Sequence, residues 1–127
     1  MFDEATMQAF AKHFFDCVEA NDMDGLIACY APDGTVWNNM DQKVIAPRDI
    51  AEILTRFDAL VTDKQYEQRE LNVFPGGFVQ RHMLCGKRKS DGQRVEMPAC
   101  LVAEMSGGKV TRTYDYIDSA KLAEFMQ

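Results

Sequence analysis

The stretch NDMDGLIACYAPDGTVW, residues 21–37, decides the fold. Asn21 stops the helix before it, and Asp22 has the short acceptor side chain of an N-cap for a second, short helix carrying Leu26, Ile27 and Tyr30. Pro32 ends that helix, because its ring fixes φ and removes a backbone donor. Asp33-Gly34 then reads as a turn, and Thr35, Val36 and Trp37 as a short strand of β-branched and aromatic residues. A helical corner and the first strand of a sheet are thus compressed into one segment.

Outward from it, the periodicity is helical on one side and mixed on the other. From Glu4 to Ala20, the residues Met7, Phe10, Ala11, Phe14, Cys17 and Val18 recur at steps of three and four, the stripe of an amphipathic helix. Downstream, Ala46-Pro47 opens a third helix, Arg48 to about Leu60, with Ile50, Ile53, Leu54 and Phe57 on one face. From about Lys64 to Ile117 the chain reads as extended runs, Gln65–Phe74, Phe78–Lys87, Val95–Met105 and Val110–Ile117. They are separated by the hairpin turns Pro75-Gly76-Gly77, Ser90-Asp91-Gly92 and Ser106-Gly107-Gly108. Ser119 to Met126 reads as a short closing helix, with Leu122, Phe125 and Met126 at helical spacing. Helices first and an antiparallel meander second predict an α+β fold in which a curved sheet wraps the helices.

The chain has 127 residues, 46% hydrophobic and 27% charged, which suits one domain over residues 1–127. Its net charge of −6 gives nucleic acid or an anionic membrane surface little to attract, so neither is expected as a partner. No apolar run approaches the ~20 residues that cross a bilayer, and MFDEATMQAF lacks the blocks of a signal peptide. A cytoplasmic protein is expected. Cys17, Cys29, Cys85 and Cys100 form no CxxC pair and match no zinc spacing with His13 and His82. They are read as free thiols, with no metal site. The absence of metal and nucleotide motifs also points to no cofactor.

The order of elements, with residues 21–37 and the late strand KVTRTYDYID at 109–118, resembles the nuclear transport factor 2-like superfamily, and within it the SnoaL-like polyketide cyclases and limonene epoxide hydrolases. The resemblance covers nearly the whole chain. It implies a cone: a strongly bent sheet and three helices enclosing one deep pocket, commonly in a homodimer. It also implies that Asp115 faces inward, and the period of two then adds Thr113 and Ile117, together with Met97, Ala99, Leu101 and Ala103 on the preceding strand. The same reasoning puts Val79, Arg81, Met83 and Cys85 inward and His82 outside. Tyr114 and Tyr116 fall on the outer face, a surface for a second copy of the chain.

Three chemistries of the superfamily can be tried on these residues. The epoxide hydrolases pair a water-activating carboxylate with a second carboxylic acid and a bridging arginine. Asp115 and Asn39 match, Trp37 replaces the tyrosine, and Met83 and Cys85 stand where the arginine and the acid belong, so no inward acid remains to protonate an epoxide. The ketosteroid isomerases need a carboxylate base, a tyrosine and a protonated aspartate, but Asn38, Phe14 and Cys100 hold those positions. SnoaL-type cyclases need an acid/base aspartate on the late strand, which Asp115 supplies.

Asp115 is therefore the candidate general acid/base, the bland alternative being a structural ion pair with Arg81 or a helix cap. Arg81 would either neutralise it or anchor an anionic group of the ligand. Trp37 and Asn39 are expected to supply a stacking wall and an amide, against a packed tryptophan and a turn asparagine. His13, near the buried stripe, is either a second acid/base group or a boundary histidine. Cys85 is read as pocket lining rather than a nucleophile. Tyr30, Phe14, Met83, Met97 and Phe57 complete an apolar, adaptable lining suited to a small apolar or aromatic molecule.

Overall fold

Short acceptor side chains start three of the four helices in the structure, a computed structural model that describes residues 3–127. Asp3 accepts from the Thr6 amide ahead of α1 (Glu4–Glu19), Asp22 from Gly25 ahead of α2 (Met23–Ala28), and Asp118 from Ala120 and Lys121 ahead of α4 (Ser119–Phe125). α3 (Pro47–Asp58) opens on proline, and the Asp49 carboxylate reaches back to accept from the Ala46 amide at 3.1 Å.

The strands are β1 (Tyr30–Asn38), β2 (Val44–Ile45), β3 (Val61–Phe74), β4 (Gly77–Arg88), β5 (Arg94–Ser106) and β6 (Lys109–Ile117), in the sheet order β2-β1-β6-β5-β4-β3. The last four form the expected antiparallel meander. β1 joins β6 in parallel and β2 covers its other edge, so the helix-rich first half of the chain supplies one side of the sheet. Tyr30 starts β1 rather than extending α2, because the Cys29 carbonyl accepts from the Val110 amide of β6 and draws the chain into the sheet. Pro32, which cannot donate, lies in the register break between Tyr30 and Thr35. β3 also begins earlier than its sequence suggests, at Val61.

Curvature comes largely from β3, whose ladder to β4 breaks between Thr62 and Gln65 and again between Glu67 and Glu70. Each break holds a non-glycine residue with positive φ, Asp63 at 55° and Gln68 at 54°. Each extra residue also resets the alternation, so the side chains turned inward are Val61, then Lys64 and Tyr66, then Arg69, Leu71 and Val73. Arg69 ties this bent strand to α1 by ion pairs to Asp16 and Glu19, both at 2.9 Å, and the Tyr66 amide donates to Glu19 at 2.9 Å. α1 lies in the concavity, where Phe14 and Phe15 pack edge-on against Phe78 of β4. A second cluster, Phe57 and Phe125 with Val61, Leu84, Val95 and Met97, closes the end beneath α3 and α4. Between the two clusters the concave face is not filled.

Candidate functional site

Directly opposed residues of a ladder share a face, so the register fixes what the concave side presents. Asp115 of β6 stands opposite Asn38 of β1 on one side and Leu101 of β5 on the other, and Leu101 stands opposite Gln80 of β4. The next row runs Ile117, Ala99, His82. Asn38, Asp115, Ile117, Ala99 and His82 of these rows form one wall of a cavity of roughly 360 Å³. Ile50, Leu54 and Phe57 of α3 form the facing wall, and Met40 and Asp41, both exposed, stand at its rim. A chamber of roughly 40 Å³ lies deeper, sharing Asp115, Tyr66 and Val36 with the main cavity and adding Phe14, Tyr30 and Thr113. The Tyr30 and Thr113 hydroxyls share a hydrogen bond of 2.9 Å there.

The lining is mostly hydrocarbon, and its few polar groups are Asn38, Tyr66, His82 and Asp115 with Asp41 at the mouth. Burial pushes the Asp115 carboxyl up to about 7, and its side chain has no hydrogen-bond or ion-pair partner among the described residues that would hold the charge. Burial drives His82 the other way, down to about 4, with the Arg69 charge adding to the effect, so the imidazole is neutral. Burial also raises the Tyr66 and Tyr30 phenols, which stay protonated. His82 is only 7% exposed, its ring centroid lies 4.2 Å from that of Tyr66, and its Nδ1 is 3.0 Å from the Gln80 amide nitrogen. A carboxyl poised near neutrality, a neutral imidazole and an amide around an apolar space can together accept a proton from carbon and hydrogen-bond an oxygen. Among the described residues no three His, Cys, Asp or Glu side chains gather as a metal would require.

The expected inward set on β5 and β6 agrees with this register, and Asp115, Met97 and Phe57 line the cavity while Tyr30 and Phe14 line the inner chamber. Two strands have the opposite parity from the one expected. On β4 the alternating residues Phe78, Gln80, His82 and Leu84 are buried on the concave side, so Arg81 and Met83 point outward and His82 inward. Arg81 is exposed and pairs with Glu70, its neighbour on β3, and cannot neutralise Asp115. Cys85 is buried but lies outside the cavity, beside Glu67, where desolvation pushes its thiol up to about 11. The sequence does not reject the expected parity of β4, because an inward Arg81 would find a partner in the inward Asp115.

On β1, Val36 and Asn38 face the cavity, so Trp37 and Asn39 are not lining residues. Trp37 packs on the outer face against Tyr116 (5.3 Å between ring centroids) and Tyr114 (6.0 Å), its ring tilted to both. Asn39 clips the strand end, donating to the Ile117 carbonyl at 3.0 Å and accepting from the Ile117 amide at 2.9 Å. His13 is exposed on α1 beside Cys17, 3.5 Å from its sulfur, and lines neither cavity. Sequence reading missed Asn38, Tyr66 and His82. The run Thr-Val-Trp-Asn is too short to show its own parity, and nothing local marks the bulges that aim Tyr66.

A family model described as the SnoaL-like domain matches residues 11–113. No curated protein matches. Solved structures of similar fold include a Xanthomonas campestris pv. campestris protein provisionally assigned as a polyketide cyclase, with 13% identity, a TM-score of 0.83 and coverage of 98% of both chains. A nuclear transport factor 2-like protein of Burkholderia xenovorans shares 20% identity over the whole of both chains at a TM-score of 0.78. A protein of Catenulispora acidiphila with a ketosteroid isomerase-like fold, solved in complex with trimethylamine, shares 15% identity at a TM-score of 0.73 over 84% of this chain and 83% of that one.

Proposed function

The chain belongs to the SnoaL-like domain family, and on that premise we propose that it is a cofactor-independent isomerase, cyclase or lyase in which Asp115 moves a proton on a small, apolar, carbonyl-bearing molecule. One observation carries this reading: an unpaired carboxyl held near neutrality in a mostly apolar cavity. Such a group is a stronger base than an exposed carboxylate, and close enough to neutrality to return the proton it takes. The ligand would lie between the α3 wall and the sheet, with Asn38 within reach of a group bound at Asp115. The fold neighbours named as polyketide cyclase and ketosteroid isomerase-like support the class of reaction.

The test is exchange of the α-hydrogens of a flat apolar ketone, 2-tetralone, for deuterium in D₂O, followed by proton NMR. The native protein is expected to accelerate exchange saturably and Asp115→Asn to abolish the acceleration while remaining folded. Equal rates for both proteins would overturn the role of Asp115.

A second reading, a non-catalytic interaction module, has its own observation in the aromatic cluster of Trp37, Tyr114 and Tyr116, with Tyr116 46% exposed on the outer sheet face. A second copy of the chain would cover that face. Sedimentation of Tyr116→Ala tests it, with a shift toward monomer expected.

A further inference from the structure

Proton abstraction next to a carbonyl leaves negative charge on the carbonyl oxygen, and an apolar cavity stabilises that charge only if a donor is already aimed at it. His82 has the features of such a donor. It lies two strands across (about 10 Å) and one row along (about 7 Å) from Asp115, about 12 Å between backbones, so a ligand can lie between the two inward side chains. Its ring is held between the Tyr66 and Phe15 rings, at 4.2 Å and 5.4 Å between centroids. Its Nδ1 faces the Gln80 amide nitrogen, a group that donates and cannot accept, so Nδ1 must be the acceptor. A neutral imidazole that accepts at Nδ1 carries its proton on Nε2, the nitrogen left free of protein partners among the described residues. Gln80 is itself 2% exposed and sits in the same ladder row as Asp115.

We propose that His82, locked by Gln80 as the Nε2–H tautomer, donates the hydrogen bond that receives the ligand's carbonyl oxygen. The inference rests on the Asp115 reading above and deepens it. The Asp115 carboxylate takes the α-proton, and the C–H electron pair becomes the enolate double bond. The charge moves to the oxygen facing His82, and return of the proton to the far carbon of a conjugated system leaves an isomer and restores the carboxylate. His82 keeps its own proton throughout, because burial penalises the imidazolate that losing it would leave just as it penalises the imidazolium. Gln80 acts through His82 as a positioning residue.

The deciding measurement is ¹⁵N-resolved NMR of the free protein, in which His13 and His82 are the only histidines. His82 is expected to stay neutral and in the Nε2–H form from about pH 5.5 to 8, and Gln80→Leu to turn the single tautomer into a mixture. An Nδ1–H tautomer in the native protein would overturn the proposal, whether or not any ketone binds. With 2-tetralone labelled with ¹³C at the carbonyl, the bound resonance is expected to move downfield in the native protein and in Asp115→Asn, and not in His82→Phe, which keeps an aromatic ring in place. His82→Phe is also expected to slow α-exchange by about 100-fold. An unchanged carbonyl shift in His82→Phe would overturn the donor role. If instead Asp115→Asn exchanges at the native rate, the Asp115 reading falls, and the tautomer and the carbonyl shift still judge His82 independently.

Discussion

Asp115 couples the chemistry of the site to the stability of the fold. Its carboxyl is raised to about 7 in the native protein, against an ordinary value of 3.8, with burial as the cause. Between those two pH values the native state keeps a proton that the unfolded chain has released. Stability is therefore fully present below about pH 4 as far as this group is concerned, and is lost as pH rises through about 7. Asp115→Asn, which cannot ionise, is expected to be the more stable protein at about pH 8, by on the order of 2–4 kcal/mol, and to lose the decline above pH 4. Chemical denaturation of both proteins at acid and alkaline pH checks this, and parallel stability curves would mean that the carboxyl is not desolvated. The same ionisation sets the sign for activity. The carboxylate is the base, so the rate is expected to rise with pH and level off above about 7.

At the scale of elements, the site depends on the end of the β1/β6 pair, where Asn38 meets Asp115. The ladder ends there, and the two hydrogen bonds from Asn39 to the Ile117 backbone extend it by one step. Asn39→Ala leaves a partly buried amide and carbonyl unpaired and is expected to destabilise the fold by about 1–3 kcal/mol. It should also speed hydrogen exchange at Ile117, which NMR can follow; unchanged protection there would show that the clip is not holding the strand end. The same region marks the limit of what the sequence conveyed. Asn39 was legible as an important residue and its role was not, because that role is a tertiary contact with a strand some eighty residues later in the chain. The meander, the three main helices and the inward side of Asp115 could be read from periodicity, turns and resemblance. Strand parity could not be read where both alternations mix apolar and polar residues. Phe78, Gln80, His82 and Leu84 compete with Val79, Arg81, Met83 and Cys85, and an inward Arg81 would have had Asp115 as its partner, so the charge does not separate them. The bulges at Asp63 and Gln68 were invisible for a different reason, since both use residues other than glycine in the left-handed region.

For the whole molecule, charge and shape together restrict the ligand. The chain carries a net charge of −6, the cavity lining holds Asp115 and Asp41, and among the described residues no lysine or arginine lines it. With Arg81 on the outer face in its pair with Glu70, the cation that might have anchored an anionic substrate group does not stand in the cavity wall among the described residues. A carboxylate ligand would therefore lose its hydration without gaining a partner and would meet the Asp115 charge at close range. An uncharged ligand of the same shape has neither cost. Two probes of one size separate these cases, 2-naphthaldehyde and 2-naphthoate. The aldehyde is expected to bind at least about tenfold more tightly at pH 8, a difference of about 1.4 kcal/mol. Because the repulsion requires ionised Asp115, the gap should narrow at about pH 5.5, where that group is protonated and can donate to the naphthoate. It should also narrow at pH 8 in Asp115→Asn. Calorimetric titration of both ligands into both proteins measures all the arms. Tighter binding of naphthoate than of the aldehyde at pH 8 would mean that the ligand is anchored by a cation outside this cavity, and the assignment of the carbonyl-bearing molecule to the space beside Asp115 would fall with it.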